Sequence, residues 1–319
     1  MLNQLQRRML RRRLLQAIPV LFLATFSVFM LMKLLPGDVA ITLAGESATQ
    51  ERIEQIREIH GLNRPLLVQY GEWVLNALQG NLSESLLSGE PVGETVARVF
   101  PNTLFIVAYA IVLSIALGVP LGLLAASRPG TWVDKLVMTL SSVGVAVPNF
   151  WLAMIFVGLF ALNRMWFPAT GFVSPQEDFL LALHHATLPA VALSASGIAE
   201  VARQLRSSLV EVLNSQHFRT LHAKGLHPRA ILWKHGLRNV SVNLLTVIGL
   251  LVNRTLAATV VVEVVFAIPG LGATMVNATL QRDFPVVQGV VLMMVATVIL
   301  VNLVTDMLYS VLDPRISQQ

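Results

Sequence analysis

The sequence predicts an all-α membrane protein. It should have six transmembrane helices, a helical loop outside the membrane after the first of them, and a short helix on a basic loop inside. Three observations carry this. The 319 residues are 55% hydrophobic and only 13% charged, with a mean hydropathy of +0.67, too poor in charge for a soluble domain of this length. The apolar residues fall in runs long enough to cross a bilayer. The basic residues concentrate in alternate connections, which sets a sidedness.

Arg7, Arg8, Arg11, Arg12 and Arg13 precede the first run, Leu14 to Leu35. At about 22 residues it spans a bilayer, and it is longer than a signal-peptide core and has no small-x-small cleavage site. Lys33 lies near its outer end, within snorkelling reach of water. Pro36-Gly37-Asp38 ends the run, and a polar segment of roughly 60 residues follows. There Ser47 or Thr49 caps a helix through Gly61, with Ile53, Ile56 and Ile59 at helical spacing. Arg64-Pro65 opens a second helix that Gly80 stops. Both look amphipathic, fitting either a packed cap over the bundle or a docking surface for a soluble protein.

The second span covers about Asn102 to Ala126, where Gly118, Pro120 and Gly122 allow close helix approach or a kink. The third, about Leu136 to Leu162, is interrupted by G-V-A-V-P-N-F-W (Gly144 to Trp151), and Pro148 should bend it inside the membrane. Trp166-Phe167-Pro168 suits an interface. The fourth, about Ala186 to Ala202, is expected to begin near Pro189 and to run on through Leu213, with Glu200 toward its inner end.

From Gln216 to Asn243 the chain is basic and has no acid. It holds Arg219, Lys224, Arg229, Lys234 and Arg238, with His217, His222, His227 and His235 among them. Phe218 to Lys224 forms a short helix that Gly225 stops, and Pro228 starts the next. The fifth span covers about Asn243 to Ala267 and the sixth about Val286 to Tyr309. With both termini inside, basic residues divide roughly 15 inside to 6 outside, as cytoplasmic connections require. The resulting division is 1–13 cytoplasmic, 14–35 the first transmembrane helix, 36–101 an extracytoplasmic helical loop, 102–312 a five-helix core with a cytoplasmic loop at 203–242, and 313–319 cytoplasmic.

Several chemistries are absent from the sequence. There is no cysteine, hence no disulfide, thiolate metal site or thiol nucleophile. There is no G-x-x-x-x-G-K-[ST] phosphate loop, no G-x-S-x-G and no H-E-x-x-H. The pair His184-His185 reads as a solvated loop pair rather than a metal site. Arg254, mid-way along the fifth span, stands out, because an unpaired arginine there costs at least ~2.5 kcal/mol. It faces either a polar path, beside Asn253 and near Pro148 and Asn149, where it attracts a carboxylate in transit, or a structural partner such as Glu200, another subunit or water.

The basic loop resembles the coupling loop of the inner-membrane permease subunits of bacterial ABC importers. In the branch that imports peptides, nickel and opines it reads R-T-A-R-A-K-G-L. Arg219, Thr220, Ala223, Lys224, Gly225 and Leu226 match, while Leu221 and His222 depart, and Asn243 stands where that family often has proline. H-G-L-N-R-P-L-L-V-Q-Y, G-N-L-S-E-S, E-V-V-F-A-I-P-G-L-G (Glu263 to Gly272), Q-R-D-F-P-V-V-Q-G and L-D-P-R are similar to the same branch, in order along nearly the whole chain. The resemblance implies a permease subunit in a bacterial inner membrane, forming half of a path for small peptides, or for nickel or metal-opine chelates. It implies a second homologous permease, two ATPase subunits that bind ATP and Mg, and an extracytoplasmic solute-binding protein. It also implies no cofactor, nucleic acid or catalysis for this chain, with Arg219 to Leu226 inserted in an ATPase groove. The rival class is an ion-coupled secondary transporter, for which the spans offer little beyond Glu200 and Glu263, both near span ends. A membrane-embedded enzyme would need a convergent catalytic set that the sequence does not provide.

Overall fold

The computed structural model describes residues 4–34, 39–45 and 48–312. The turn expected at Pro36-Gly37-Asp38, the alternative cap Ser47 and the terminal segment 313–319 lie outside the described residues, as do the side chains of Arg7 and Arg8. In chain order the helices are α1 (Gln4–Leu34), α2 (Val39–Ala44), α3 (Gln50–Ile59), α4 (Leu66–Leu78), α5 (Val92–Ser127), α6 (Trp132–Ala146), α7 (Asn149–Phe156), α8 (Phe179–Leu213), α9 (Gln216–Ala223), α10 (Pro228–Ala230), α11 (Leu237–Val265), α12 (Leu271–Leu280) and α13 (Phe284–Leu312). Wider π-helical turns extend α7 over Val157–Asn163 and join α10 to α11 over Ile231–Gly236.

Five stretches are long and apolar enough to cross a membrane: Arg11–Leu34, Val92–Ser127, Phe179–Leu213, Pro228–Val265 and Phe284–Tyr309. α6 and the α7 segment pass the same test together but meet at 94°, as a broken span or re-entrant loop. The sequence predicts a bend here and the structure has a break. Val147 and Pro148 both adopt extended backbone, with ψ of 124° and 136°, so no helical hydrogen bond carries across them.

The chain divides into two compact units. One comprises Arg12–Pro101 and Pro269–Thr297. In it, Thr49 Oγ1 caps α3 by accepting from Arg52 N, and Ile53 and Ile56 bury beside Ala40. Ile59, the third residue of that stripe, is 73% exposed, because the helix ends at His60 before the face can be covered. α4 turns Tyr70 and Trp73 onto the middle of α1. The Tyr70 hydroxyl donates to Phe22 O at 3.2 Å and lies 2.9 Å from Thr25 Oγ1, with the rings of Phe22, Phe26 and Phe29 around it. Two of the motifs read from the sequence meet here. Ser85 Oγ of G-N-L-S-E-S donates to Asp283 Oδ2 of Q-R-D-F-P at 2.5 Å, and Leu86 N donates to Oδ1 at 3.1 Å.

The other unit comprises Met1–Arg11, Asn102–Ile268 and Val298–Gln319 and is built around α8. A Cβ added at Gly118 would meet Val201 Cβ at 2.8 Å, one at Gly122 would meet Ala202 O at 2.8 Å, and one at Gly144 would meet Ala199 Cβ at 3.0 Å. α5 and α6 therefore approach the α8 backbone as closely as glycine allows. α8 does not begin near Pro189 as expected. It starts at Phe179, capped by Asp178 Oδ1 accepting from Leu181 N at 2.9 Å, and Pro189 lies inside it. A proline removes one donor only, and the buried flank of Ala182, Ala186, Ala190 and Ala192 holds the helix continuous across it. At the other end of α8, Arg206 donates from Nε and Nη2 to the two oxygens of buried Asp134, at 2.9 and 2.7 Å, and Gly130 N donates to the same carboxylate. This fork ties the first turn of α6 to α8.

Candidate functional site

Two places in this unit hold the residues that the sequence singles out. The first is the basic connection between α8 and α11. Phe218 is buried to 1% exposure and anchors α9, which packs against the end of α8 and the π turn at Ile231–Gly236. Ile231 and Gly236 are buried in that turn, with Gly236 close against Leu209 of α8. Apart from half-buried Leu221, the rest of α9 is solvent-facing: Arg219, Thr220 and Ala223 are exposed, as is Lys224 just beyond it, and Leu226 is half-buried. The helix ends as the sequence predicts. Gly225 has φ +76°, its N–H bonds His222 O, and Leu226 N bonds Leu221 O, the paired closure of a Schellman turn. His227 Nδ1 accepts from Arg229 N and Pro228 takes the first helical position of α10.

The second place is a cleft of about 310 Å³ where the break between α6 and α7 faces α8 and α11. Pro148, Asn149, Ser196, Glu200, Arg254 and Thr255 line it among apolar residues. Arg254 Nη1 donates to both oxygens of Glu200, at 2.8 and 3.0 Å. The Glu200 side chain is 20% exposed and that of Arg254 is 67% exposed, so the guanidinium fronts the cleft and the carboxylate backs it. Of the sequence's candidates for a path, the structure brings Arg254, Pro148 and Asn149 together. It turns Asn253 away: its Nδ2 donates to Asn302 Oδ1 of α13 at 2.9 Å. Adjacent residues on a helix point about 100° apart, so Asn253 and Arg254 face different neighbours.

Sequence reasoning undervalued Glu263. It lies near the end of α11 as expected, but it is fully buried and Thr103 Oγ1 donates to its Oε1 at 2.6 Å. Thr255 and Thr259 precede it at four-residue intervals on the same face, each bonding the carbonyl four residues back. The period of this stripe, Thr255, Thr259, Glu263, was the available signal. The paired histidines are satisfied by backbone, His184 at Trp166 O and His185 at Gly171 O. No group of three or more metal-ligating side chains occurs among the described residues.

The description binding-protein-dependent transport system inner membrane component matches residues 118–318, and its N-terminal counterpart matches residues 6–107. A protein described as a peptide transport system permease in Brucella abortus (strain 2308) is 39% identical over 305 residues, covering 96% of this chain and 97% of that one. The oligopeptide transport system permease AppB of Bacillus subtilis (strain 168) is 36% identical over 308 residues, covering 96% and 98%. The glutathione transport system permease GsiC of Escherichia coli O6:H1 is 37% identical over 305 residues, covering 96% and 97%. Among solved structures, the inward-facing methionine ABC transporter MetNI matches with a TM-score of 0.54 at 16% identity, over 68% of this chain and 96% of that chain, a likeness of fold.

Proposed function

We propose that this chain, which belongs to the family of binding-protein-dependent transport system inner membrane components and is a permease subunit of an ABC importer, carries small peptides. It is a multi-pass membrane protein and not an enzyme; ATP is hydrolysed in separate subunits. The observation that carries the peptide reading is similarity over 96% of the chain to permeases named for peptides, oligopeptides and glutathione. In this reading the chain sits in a bacterial inner membrane with both termini and the 203–242 loop cytoplasmic and the 36–101 segment outside. It pairs with a second, homologous permease to enclose the path. Two ATPase subunits bind ATP and Mg, and an extracytoplasmic binding protein delivers the solute.

α9 is the lever of this proposal. Its exposed face, Arg219, Thr220, Ala223 and Lys224, enters a groove on the ATPase, and Gly225 and Leu226 set the turn that presents it. What supports this is the anchoring. α9, with its Phe218 buried, packs against the end of α8 on one side and against the π turn leading into α11 on the other. A push on α9 therefore reaches two helices at once, and those two helices carry Glu200 and Arg254. Rigid-body displacement of α8 against α11 would open and close the cleft beside Pro148 and Asn149.

Affinity purification of the chain from mild detergent, with mass spectrometry of what accompanies it, tests the assembly. Co-recovery of an ATPase and a second permease, with ATP-dependent peptide uptake after reconstitution with the binding protein, is the expected result. Recovery of the chain alone, transporting in liposomes without ATP, would overturn it.

A further inference from the structure

We infer that the Arg254–Glu200 pair is a carboxylate-binding subsite, in which Arg254 receives the anionic group of a passing solute on the free edge of its guanidinium. The inference rests on the reading of this cleft as part of the path. A single nitrogen, Nη1, serves both oxygens of Glu200. Nε and Nη2, which form the side edge of the guanidinium, donate to nothing among the described residues. That edge presents two parallel donors at the spacing of a carboxylate's two oxygens, a match that a lysine cannot make.

Burial gives the pair a direction. Glu200 is largely covered and Arg254 largely open, so a solute in the cleft meets the cation first. Arg254 also lies near the middle of α11, where so exposed a charge cannot face acyl chains. Its open side must meet water or a polar partner. Asn149 and Ser196 add an amide and a hydroxyl to the same wall and no second charge. They suit neutral polar groups next to a carboxylate, such as the last peptide bond of a short peptide. At about 310 Å³ the cleft is at the small end of ligand sites, enough for one end of a solute rather than the whole of a long one. Glu200 has two effects. It fixes the guanidinium plane, and it leaves the subsite with no net charge, so an arriving anion is oriented but not trapped. The ligand class is therefore a solute with a free carboxylate. Its amide or ester would lose the fork.

The chain has no cysteine, so Ser196→Cys places a single reporter thiol in the cleft. In the full chain with its co-purified partners, the rates of labelling by an anionic sulfonatoethyl and a cationic trimethylammonioethyl methanethiosulfonate are compared. The anionic-to-cationic ratio is expected to fall about tenfold on Arg254→Gln and to rise on Glu200→Gln. Triglycine should slow labelling where triglycine amide does not, and Arg254→Lys should keep the charge preference while losing that distinction. A ratio indifferent to Arg254, or equal slowing by the acid and the amide, overturns the carboxylate subsite and leaves an open path. No reaction with either reagent means the cleft is closed, with Arg254 held by another subunit, and overturns the path reading itself.

Discussion

Gly225 offers the sharpest separation between backbone and side-chain effects in the proposed lever. Its φ of +76° lies in the left-handed region, and no atom comes within 4 Å of a Cβ built on it. Beyond the glycine's own backbone neighbours, then, a Cβ meets nothing in this chain, and substitution acts through the local backbone conformation. Alanine in that conformation costs roughly 1–2 kcal/mol, and valine more, because a β-branched residue there is an outlier. Asparagine tolerates the conformation and often replaces glycine at this position of a Schellman turn. A cost of ~1–2 kcal/mol shifts the local equilibrium roughly 5- to 30-fold away from the closed turn, whose bonds are Gly225 N to His222 O and Leu226 N to Leu221 O. α9 would remain anchored by Phe218 while its presented end loosened. The expected order of ATP-driven uptake per ATP hydrolysed is therefore Gly, Asn, Ala, Val, with unchanged membrane insertion, measured in proteoliposomes with the ATPase and binding protein present. If the valine variant couples like the parent, Gly225 is not part of the lever. If asparagine fails as badly as valine, side-chain bulk at a partner's surface governs the site and the backbone argument is wrong.

The packing sets the expected outcome of substitution at four further positions. Gly122→Ala drives a methyl against Ala202 O, a backbone atom that cannot swing aside, and should lower detergent-solubilised stability by about 1–3 kcal/mol; Gly71→Ala in α4, with open space around it, should be neutral or slightly stabilising in the same thermal assay. Asp134→Asn breaks the fork from Arg206, and because Arg206 keeps 29% of its side chain in solvent the loss should sit at or below the low end of the ~3–5 kcal/mol seen for buried pairs, read as earlier thermal unfolding. Thr103→Val takes a donor from the fully buried Glu263 and should cost roughly 1–3 kcal/mol, with Thr103→Ser restoring most of it; a silent Thr103→Val would mean that the remaining contacts of Glu263 suffice.

Which parts of this molecule were legible in advance depends on the range of the interaction that decides them. The end of α9 is decided within six residues, by a glycine at the left-handed position and a proline at the next helical start, and both are visible in the sequence down to the residue. Pro148 and Pro189 show the limit of the same reasoning. Each removes one donor, but Pro148 follows Val147 in extended backbone and breaks the span, while Pro189 stays helical inside α8. What separates them is the alanine-rich burial around Pro189, a tertiary fact. The polar residues of α11 divide in the same way. Arg254 stands out in the sequence because charge inside a span is costly wherever it lies, and Glu200, 54 residues away, is among the partners the sequence offers it. Asn253 is its neighbour only in sequence, and adjacency on a helix is the wrong measure, since residues three or four apart share a face. Glu263 stands near a helix end in the sequence, yet in the fold it is fully buried and takes a hydrogen bond from Thr103, 160 residues distant. Locally determined features were therefore readable from composition and spacing. The cleft was not, because it exists only where a broken α6–α7 segment, α8 and α11 converge, and no one of those segments encodes the meeting by itself.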